Sequence, residues 1–527
     1  MAKIIETDIA VKGIINGINK VADIVKITLG PKGNNVALDR PFASPLITND
    51  GVTIAKEIEL PDAFENMGAK LVKEVCTKTN DIAGDGTTTA IVLAQGFINE
   101  ISKEISNGNS PILLAEKVKY ITHLLVEKLK QNSTPISSND EIKNIATISS
   151  GNSEIGNMIA KAKRLVGIDG IITLTDSNSG NTDLIVEDGI CLDTGILSPY
   201  LFTNVNKQNL EFDNAKVLIF DKKFDNMQQL LPILEQVVGA NQKLLILCDN
   251  LSEELLKTIV VNKMRGSLQI AVCKIPFYGE KRTALLEDLA LLCNTKYYSE
   301  SKGDNVQNIM LDDLGSASNI TITKDTTTML CKSPNKEEID KLKHYLKEQL
   351  QIAKDEDKEL IKLRLARLNG GIAVISVGAD TELEMQEKKL RIEDAISATN
   401  SAIEQGIIVG GGMGLYNLKN YLVELKNSQD KDNHIAINIL SKVVEYPIKQ
   451  ILKNCDKLPE IILQKIDENK DQNFGYNGKD DSYCDLLKAG IIDPAKVTIT
   501  ALKNACSIAT TILTTKGGVT DFNDSAK

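Results

Sequence analysis

The chain has 527 residues, 42% hydrophobic and 25% charged, which is enough apolar side chain for several domain cores at ~150 residues per domain. Its formal charge of −10 excludes a general nucleic-acid binder, which needs a basic face to displace counterions. Aromatic residues make up only 4% and tryptophan is absent, so the cores are expected to be aliphatic.

In chain order, the first segment carries neither a signal-peptide h-region nor Arg-rich transit character, and no run approaches the ~18 apolar residues of a membrane span. The nine cysteines include no Cys-x-x-Cys pair, and their odd number and wide spacing speak against zinc and a disulfide framework. Several, such as Cys248, lie in apolar runs and read as small buried hydrophobes. Together these features predict a cytoplasmic protein.

Segment 8–29 places Ile14, Ile15, Ile18, Val21, Ala22 and Val25 at helical spacing and stops at Gly30-Pro31. Short β-like pieces around Asn49-Asp50-Gly51 follow, then helices over 63–82, 87–106 and 111–131. At the junction of the first two of these helices lies Gly84-Asp85-Gly86-Thr87-Thr88-Thr89. Glycines let backbone approach a ligand, helix-start N–H groups favour an anion, and a carboxylate holds a hard cation. The stretch therefore reads either as a nucleotide triphosphate site or as an Asp-Gly turn with a threonine N-cap.

The middle alternates strand-like runs (216–220, 243–247, 268–272) with helical stretches, which predicts a sheet covered on both faces. Leu230, Leu231, Leu234, Val237 and Val238 form one helical apolar series, and Leu255, Leu256, Ile259, Val260 and Val261 another, wider than one buried stripe. On the residues alone, core packing and a binding surface both remain open. Residues 336–368 read as a charged helical hairpin broken near Asp355-Glu356-Asp357 and closed by Gly370-Gly371. Helical pattern returns from 385, and the polar end 520–527 is expected to fray.

Further segments carry chemistry only in combination. Leu29-Gly30-Pro31-Lys32-Gly33 is a rigid turn with a lysine suited to phosphate, and Thr48-Asn49-Asp50-Gly51 offers a second turn carboxylate. Ile392-Glu393-Asp394-Ala395 puts a carboxylate pair on a helix, and Gly410-Gly411-Gly412 admits a base or sugar.

In this order, together with Phe64-Glu65-Asn66-Met67-Gly68-Ala69, Leu197-Ser198-Pro199-Tyr200, Lys324-Asp325-Thr326-Thr327-Thr328, Glu387-Lys388-Lys389, Gly475-Tyr476-Asn477 and Asp493-Pro494, the chain resembles the group I chaperonins, the GroEL type, from about residue 20 to 520. The resemblance implies a multidomain α+β fold: a helical equatorial ATP-binding domain from both chain ends (1–131 and 405–527), a small intermediate α/β hinge domain (132–188 and 372–404), and an apical domain with a sheet flanked by helices (189–371). Hinges are expected near Gly189 and at Gly370-Gly371.

It further implies an ATPase that encapsulates non-native polypeptides and promotes their folding. Its partners would be further copies of itself in a seven-membered ring, usually two rings stacked, and a small co-chaperonin ring, with no nucleic acid and no membrane. The alternative class is a non-cycling scaffold or polypeptide-binding protein on the same fold.

Carried over by position, Asp85 would bind Mg²⁺, and Gly86, Thr87, Thr88 and Thr89 would hold phosphate. Leu29, Gly30 and Pro31 would line the ATP, with Thr28 beside K⁺; Gly411, Asn477, Ile491 and Asp493 would contact base and ribose. Asp394 would orient or deprotonate the attacking water, assisted by Asp50, and hydrolysis would wait for the intermediate domain to close. Tyr200, Leu201, Leu231, Leu234, Leu256, Val260 and Val261 would grip polypeptide and co-chaperonin.

Departures from the family pattern are Asn49 for a lysine, Thr194 for an arginine, and Ile196 for a tyrosine, the last expected to keep an apolar surface. The Gly-Met-rich tail of many members does not appear.

Overall fold

The computed structural model describes residues 2–521 apart from 6, 40–44, 169, 178–179, 205–207, 332–334, 353–357, 359, 362–363, 366, 369–370 and 470. The chain divides into two compact units, one from residues 1–161 and 377–527, the other from 162–376. Segments 132–161 and 377–404 thus group with the chain ends, and 162–188 and 372–376 with the middle. Among the described residues no helix is long and apolar enough to cross a membrane.

The first unit is a helical layer around one aliphatic core. Helices Thr7–Val25, Ala63–Ala83, Thr87–Ser106, Pro111–Asn132 and Ala495–Leu513 contribute fully buried Ile18, Val21, Leu93, Ile98, Leu125 and Leu502. The expected break after the first helix is a 3₁₀ turn at Lys26–Thr28. The β-like pieces are the antiparallel strands Val36–Leu38 and Leu46–Thr48. Asp50-Gly51, however, is no strand turn: it opens a helix, Gly51–Glu57. A short antiparallel pair, Ile407–Val409 with Ile492–Pro494, joins distant segments beside Gly410. Strand Ala2–Ile5 pairs antiparallel with Gly518–Asp521, so Thr520 and Asp521 are paired where fraying was expected. The rest of that tail lies outside the described residues.

The second unit is built on a mixed sheet. Strands Leu210–Phe224, Lys243–Leu251 and Ile270–Lys274 run parallel, linked by helices Met227–Gly239 and Glu253–Met264. Antiparallel strands Gly315–Ile322, Thr327–Cys331, Asp183–Leu192 and Gly371–Val377 extend the other side. The near-continuous apolar run Leu244–Cys248 is wholly buried, as expected for a strand covered on both faces. Helix Lys336–Ile352 forms one arm of the expected hairpin, while its break at 355–357 and Gly370 lie outside the described residues. Gly189, read as a hinge, sits inside a strand. A Cβ there would lie 2.6 Å from the Met329 carbonyl oxygen, so close packing accounts for the glycine.

Candidate functional site

The motif around residue 85 lies wholly in the first unit. Helix Ala63–Ala83 ends at Gly84 in the left-handed conformation (φ 68°), and helix Thr87–Ser106 starts after Gly86 at φ 80°. A Cβ on Gly86 would come within 2.4 Å of Val497 Cγ1, so the turn needs glycine on both conformational and steric grounds. No side chain caps the helix at Gly86, so the threonine N-cap considered from the sequence does not form and Thr87 is the first helical residue. Its leading N–H groups are left for an anion.

Asp85 is held from two sides: Oδ1 accepts the Gly86 N–H, and Oδ2 accepts the Ser149 hydroxyl at 2.8 Å. Ser149, near the end of helix Asn139–Ser150, carries no motif and was missed from the sequence. Asp50 is an N-cap whose carboxylate accepts the N–H groups of Val52 (3.1 Å) and Thr53 (2.9 Å) and the Thr53 hydroxyl. Its neighbour Gly51 abuts the hydroxyls of Thr87 and Thr88: a Cβ there would be 2.5 Å from Thr88 Oγ1 and 3.2 Å from Thr87 Oγ1. Thr28 Oγ1 lies 3.5 Å from Thr88 Oγ1 and donates to the Val25 carbonyl.

Helix Glu382–Gln405 packs across this turn. The Ser401 hydroxyl donates to the Ala83 carbonyl at 2.8 Å, and a Cβ on Gly84 would sit 2.2 Å from Ser397 Cβ. Asp394 lies one turn before Ser397 on this helix. Burial first, then the negative charges of Asp85, Asp50 and Glu393, push its carboxyl well above the usual range. Burial, with Asp50 adding repulsion, also raises Asp85. Asp493, on the strand beside Gly410, is pushed up to about 7 by burial and then by Asp85. Ile491 borders the same glycines, accepting the Gly410 N–H at 3.0 Å and lying 3.8 Å from where a Gly411 Cβ would be.

The 29–31 turn is fixed by Asn454, whose amide donates to the carbonyls of Lys26 and Leu29 at 2.9 and 2.8 Å. Pro31 packs under the hairpin Phe474–Asn477/Ser482–Asp485, 3.2 Å from where a Gly478 Cβ would stand. Two side chains are engaged elsewhere. Lys32, read as a phosphate lysine, pairs with Asp481 at 2.9 Å, because the hairpin brings that carboxylate nearer. Asn477 donates to Asp480 and accepts from the Lys479 N–H within its own turn.

A helix start that favours phosphate lies beside carboxylates that repel it and one another. A divalent cation bound there together with phosphate would offset this repulsion. Among the described residues no group of three His, Cys, Asp or Glu could hold a metal by itself. That donor set suits Mg²⁺, which takes few carboxylates and completes its shell with phosphate oxygens and water.

In the second unit the predicted gripping residues separate. Tyr200, Leu231 and Val261 are 73%, 42% and 45% exposed, and Leu256 and Val260 are half-buried against the core. Leu201 and Leu234 point inward and are fully or almost fully buried, so they are core residues and not surface contacts. Ile196 is buried too, since its strand-like N–H bonds to Thr323 and it bridges to Cys273. The Thr194 carbonyl accepts the Thr327 hydroxyl at 2.6 Å. Met264, 73% exposed at the end of helix Glu253–Met264, stands three residues after exposed Val261 and was missed, because a methionine at a helix end has no distinguishing sequence signal.

Comparison of the whole structure with solved ones finds the chaperonin gp146 from the bacteriophage EL 2 (Pseudomonas aeruginosa), crystallised in presence of ATP-BeFx. One crystal form gives a TM-score of 0.69 and the other 0.64, each at 20% identity and covering 99% of both chains. At that identity the likeness shows the fold, which is multidomain α+β. The profile of the TCP-1/cpn60 chaperonin family matches residues 21–519. With that match running over almost the whole sequence, the chain belongs to the TCP-1/cpn60 chaperonin family.

Proposed function

We propose that the chain is the subunit of an ATP-driven folding chamber. ATP is hydrolysed on the unit formed by the chain ends, and non-native polypeptide is held on the middle unit. The observation that carries this reading is the grouping of Asp85, Asp394, Asp50 and Asp493 around the uncapped start of helix Thr87–Ser106. The fold neighbour crystallised in presence of ATP-BeFx supports it.

In this reading the N–H groups and hydroxyls of Thr87, Thr88 and Thr89, with Gly86, bind phosphate oxygens. Asp85, steadied by Ser149, holds Mg²⁺. The ion supplies charge neutralisation and orientation when bound. Leu29, Gly30 and Pro31 border the nucleotide on one side, Gly411, Ile491 and Asp493 on the other. Asn477 reaches it by exchanging its bond to Asp480, and Thr28 stands beside K⁺. Asp394 accepts the proton of the attacking water, a task suited to a carboxylate made more basic by its surroundings. Asp50, fixed by its capping bonds, keeps the threonine loop in register.

Polypeptide contact falls to Tyr200, Leu231, Leu256, Val260 and Val261. Burial of a client's apolar segments there supplies affinity at ~25 cal/mol per Å², offset by the costs of association. Assembly into a ring draws on exposed apolar side chains of the first unit such as Ile112, Leu113, Val423, Leu458 and Ile461, and a co-chaperonin would share the polypeptide surface of the second. The domain division read from the sequence, with its intermediate hinge segment, is part of the same proposal.

The test is Asp394→Ala. We expect nucleotide binding to persist and ATP turnover to fall by on the order of tenfold or more. Unchanged turnover would remove Asp394 from the mechanism.

A further inference from the structure

Two thiols outside the candidate site stand in contact in the core of the second unit. Cys293 caps the C-terminus of helix Gly279–Leu292, and Cys331 ends strand Thr327–Cys331. Their sulfurs are 3.9 Å apart, although 38 residues separate them in sequence. The fold explains the meeting. Cys331 stands opposite Ala317 in the ladder with strand Gly315–Ile322, and the ladder shifts register just beyond that pair. Cys293 lies over Gly315 of the same strand: a Cβ on Gly315 would be 3.0 Å from Cys293 Cβ, and the Ser316 N–H bonds to the Cys293 carbonyl at 3.3 Å. Residues 315 and 317 share one face of the sheet, so Cys293, packed over Gly315, and Cys331, opposite Ala317, meet on that face. Both cysteines are buried, and Cys331, at 6% exposure against none for Cys293, lies nearer the solvent.

We propose that Cys293 and Cys331 form a reversible disulfide when the protein meets a hydroperoxide. Peroxide oxygen transfers to the Cys331 sulfur, giving the sulfenic acid and one water (or alcohol). The Cys293 sulfur then attacks the Cys331 sulfur, the S–O bond breaks, and a second water leaves with the thiol proton. The two thiols lose two electrons and the hydroperoxide gains them. The sulfurs have to close from 3.9 Å to the roughly 2 Å of a disulfide bond. The product ties the end of a helix to the end of a central strand. It closes a loop that the reduced chain leaves open, and so resists thermal unfolding more than the dithiol does.

The experiment uses the full chain. Protein treated with hydrogen peroxide is denatured, alkylated without reductant, and mapped by proteolysis and mass spectrometry. The expected result is loss of two alkylation sites and a cross-linked peptide pair holding Cys293 and Cys331. Dithiothreitol should reverse both, and the oxidised protein should show an upward shift of the melting midpoint. In C293S the pair should vanish and Cys331 should be trapped as its sulfenic acid by dimedone. The proposal is overturned if Cys293 and Cys331 both remain alkylatable at peroxide doses that oxidise other thiols of the chain. It is equally overturned if wild-type Cys331 passes to the sulfinic acid without a bond. Both of these outcomes are read on the wild-type protein, so they do not depend on a variant folding.

Discussion

The carboxylate cluster of the first unit and the exposed apolar residues of the second are both marked by short sequence patterns, and they behave differently. Around Asp85 the pattern is written in glycines and hydroxyls whose use is backbone geometry, and the segments that carry them meet: Gly51 against Thr88, Gly84 against Ser397, Gly410 beside Asp493. On helices Met227–Gly239 and Glu253–Met264 the pattern is written in leucines and valines, and these divide between core and surface, Leu234 inward and Val261 outward. A glycine forced by a positive φ or a close contact has one physical reading. An aliphatic residue has two, and only its neighbours choose between them.

Four substitutions sharpen this contrast, in falling order of effect. Leu234→Ala empties a site in a packed core and should lower unfolding stability by roughly 2–5 kcal/mol in chemical denaturation. A change within the range of surface substitutions would return Leu234 to the exposed set.

The second prediction concerns pH. Asp493 binds its proton more tightly folded (about 7) than unfolded (3.8), so folding takes up a proton between those values. Its stabilising contribution is complete below the unfolded value and is lost as pH rises through about 7. Asp493→Asn should therefore remove on the order of 3 kcal/mol of pH dependence in Mg²⁺-free protein, after discounting for solvent at its edge, and make the variant the more stable form at neutral pH. Parallel stability curves for the two proteins across that window would refute the buried carboxylate.

Third, Asp50→Ala removes an N-cap that accepts two backbone N–H groups and should cost about 1 kcal/mol, read as a lower denaturation midpoint with unchanged slope. Smallest in stability is Val261→Ser, below ~0.5 kcal/mol, yet it should weaken retention of a denatured protein while sparing ATP turnover. Retention equal to wild type would count against a polypeptide surface there.

Much of the fold was legible because it rests on periodicity. The helical stretches at 63–82, 87–106 and 111–131 and the buried runs at 216–220 and 243–247 lie where spacing and breakers put them. What stayed hidden depends on through-space partners. Ser149 is an ordinary helix serine until Asp85 stands 2.8 Å away, and Lys32 looks like a phosphate lysine until the hairpin delivers Asp481. Asp50-Gly51 reads as a turn because Asp-Gly usually is one; here the same carboxylate starts a helix. Leu201 carries no local sign that the chain turns it under the Glu253–Met264 helix, where the Lys263 ammonium reaches its carbonyl.

The pairing of Ala2–Ile5 with Gly518–Asp521 bears on how this molecule comes into being. The middle unit is continuous in sequence and can close as soon as residues 162–376 leave the ribosome. The other unit must leave helices Ala63–Ala83, Thr87–Ser106 and Pro111–Asn132 partly uncovered until helix Ala495–Leu513, which packs on all three, is synthesised. Such long-range closure is slow, and it invites aggregation. During its own birth the chain therefore passes through an interval in which its largest aliphatic core lacks its last wall.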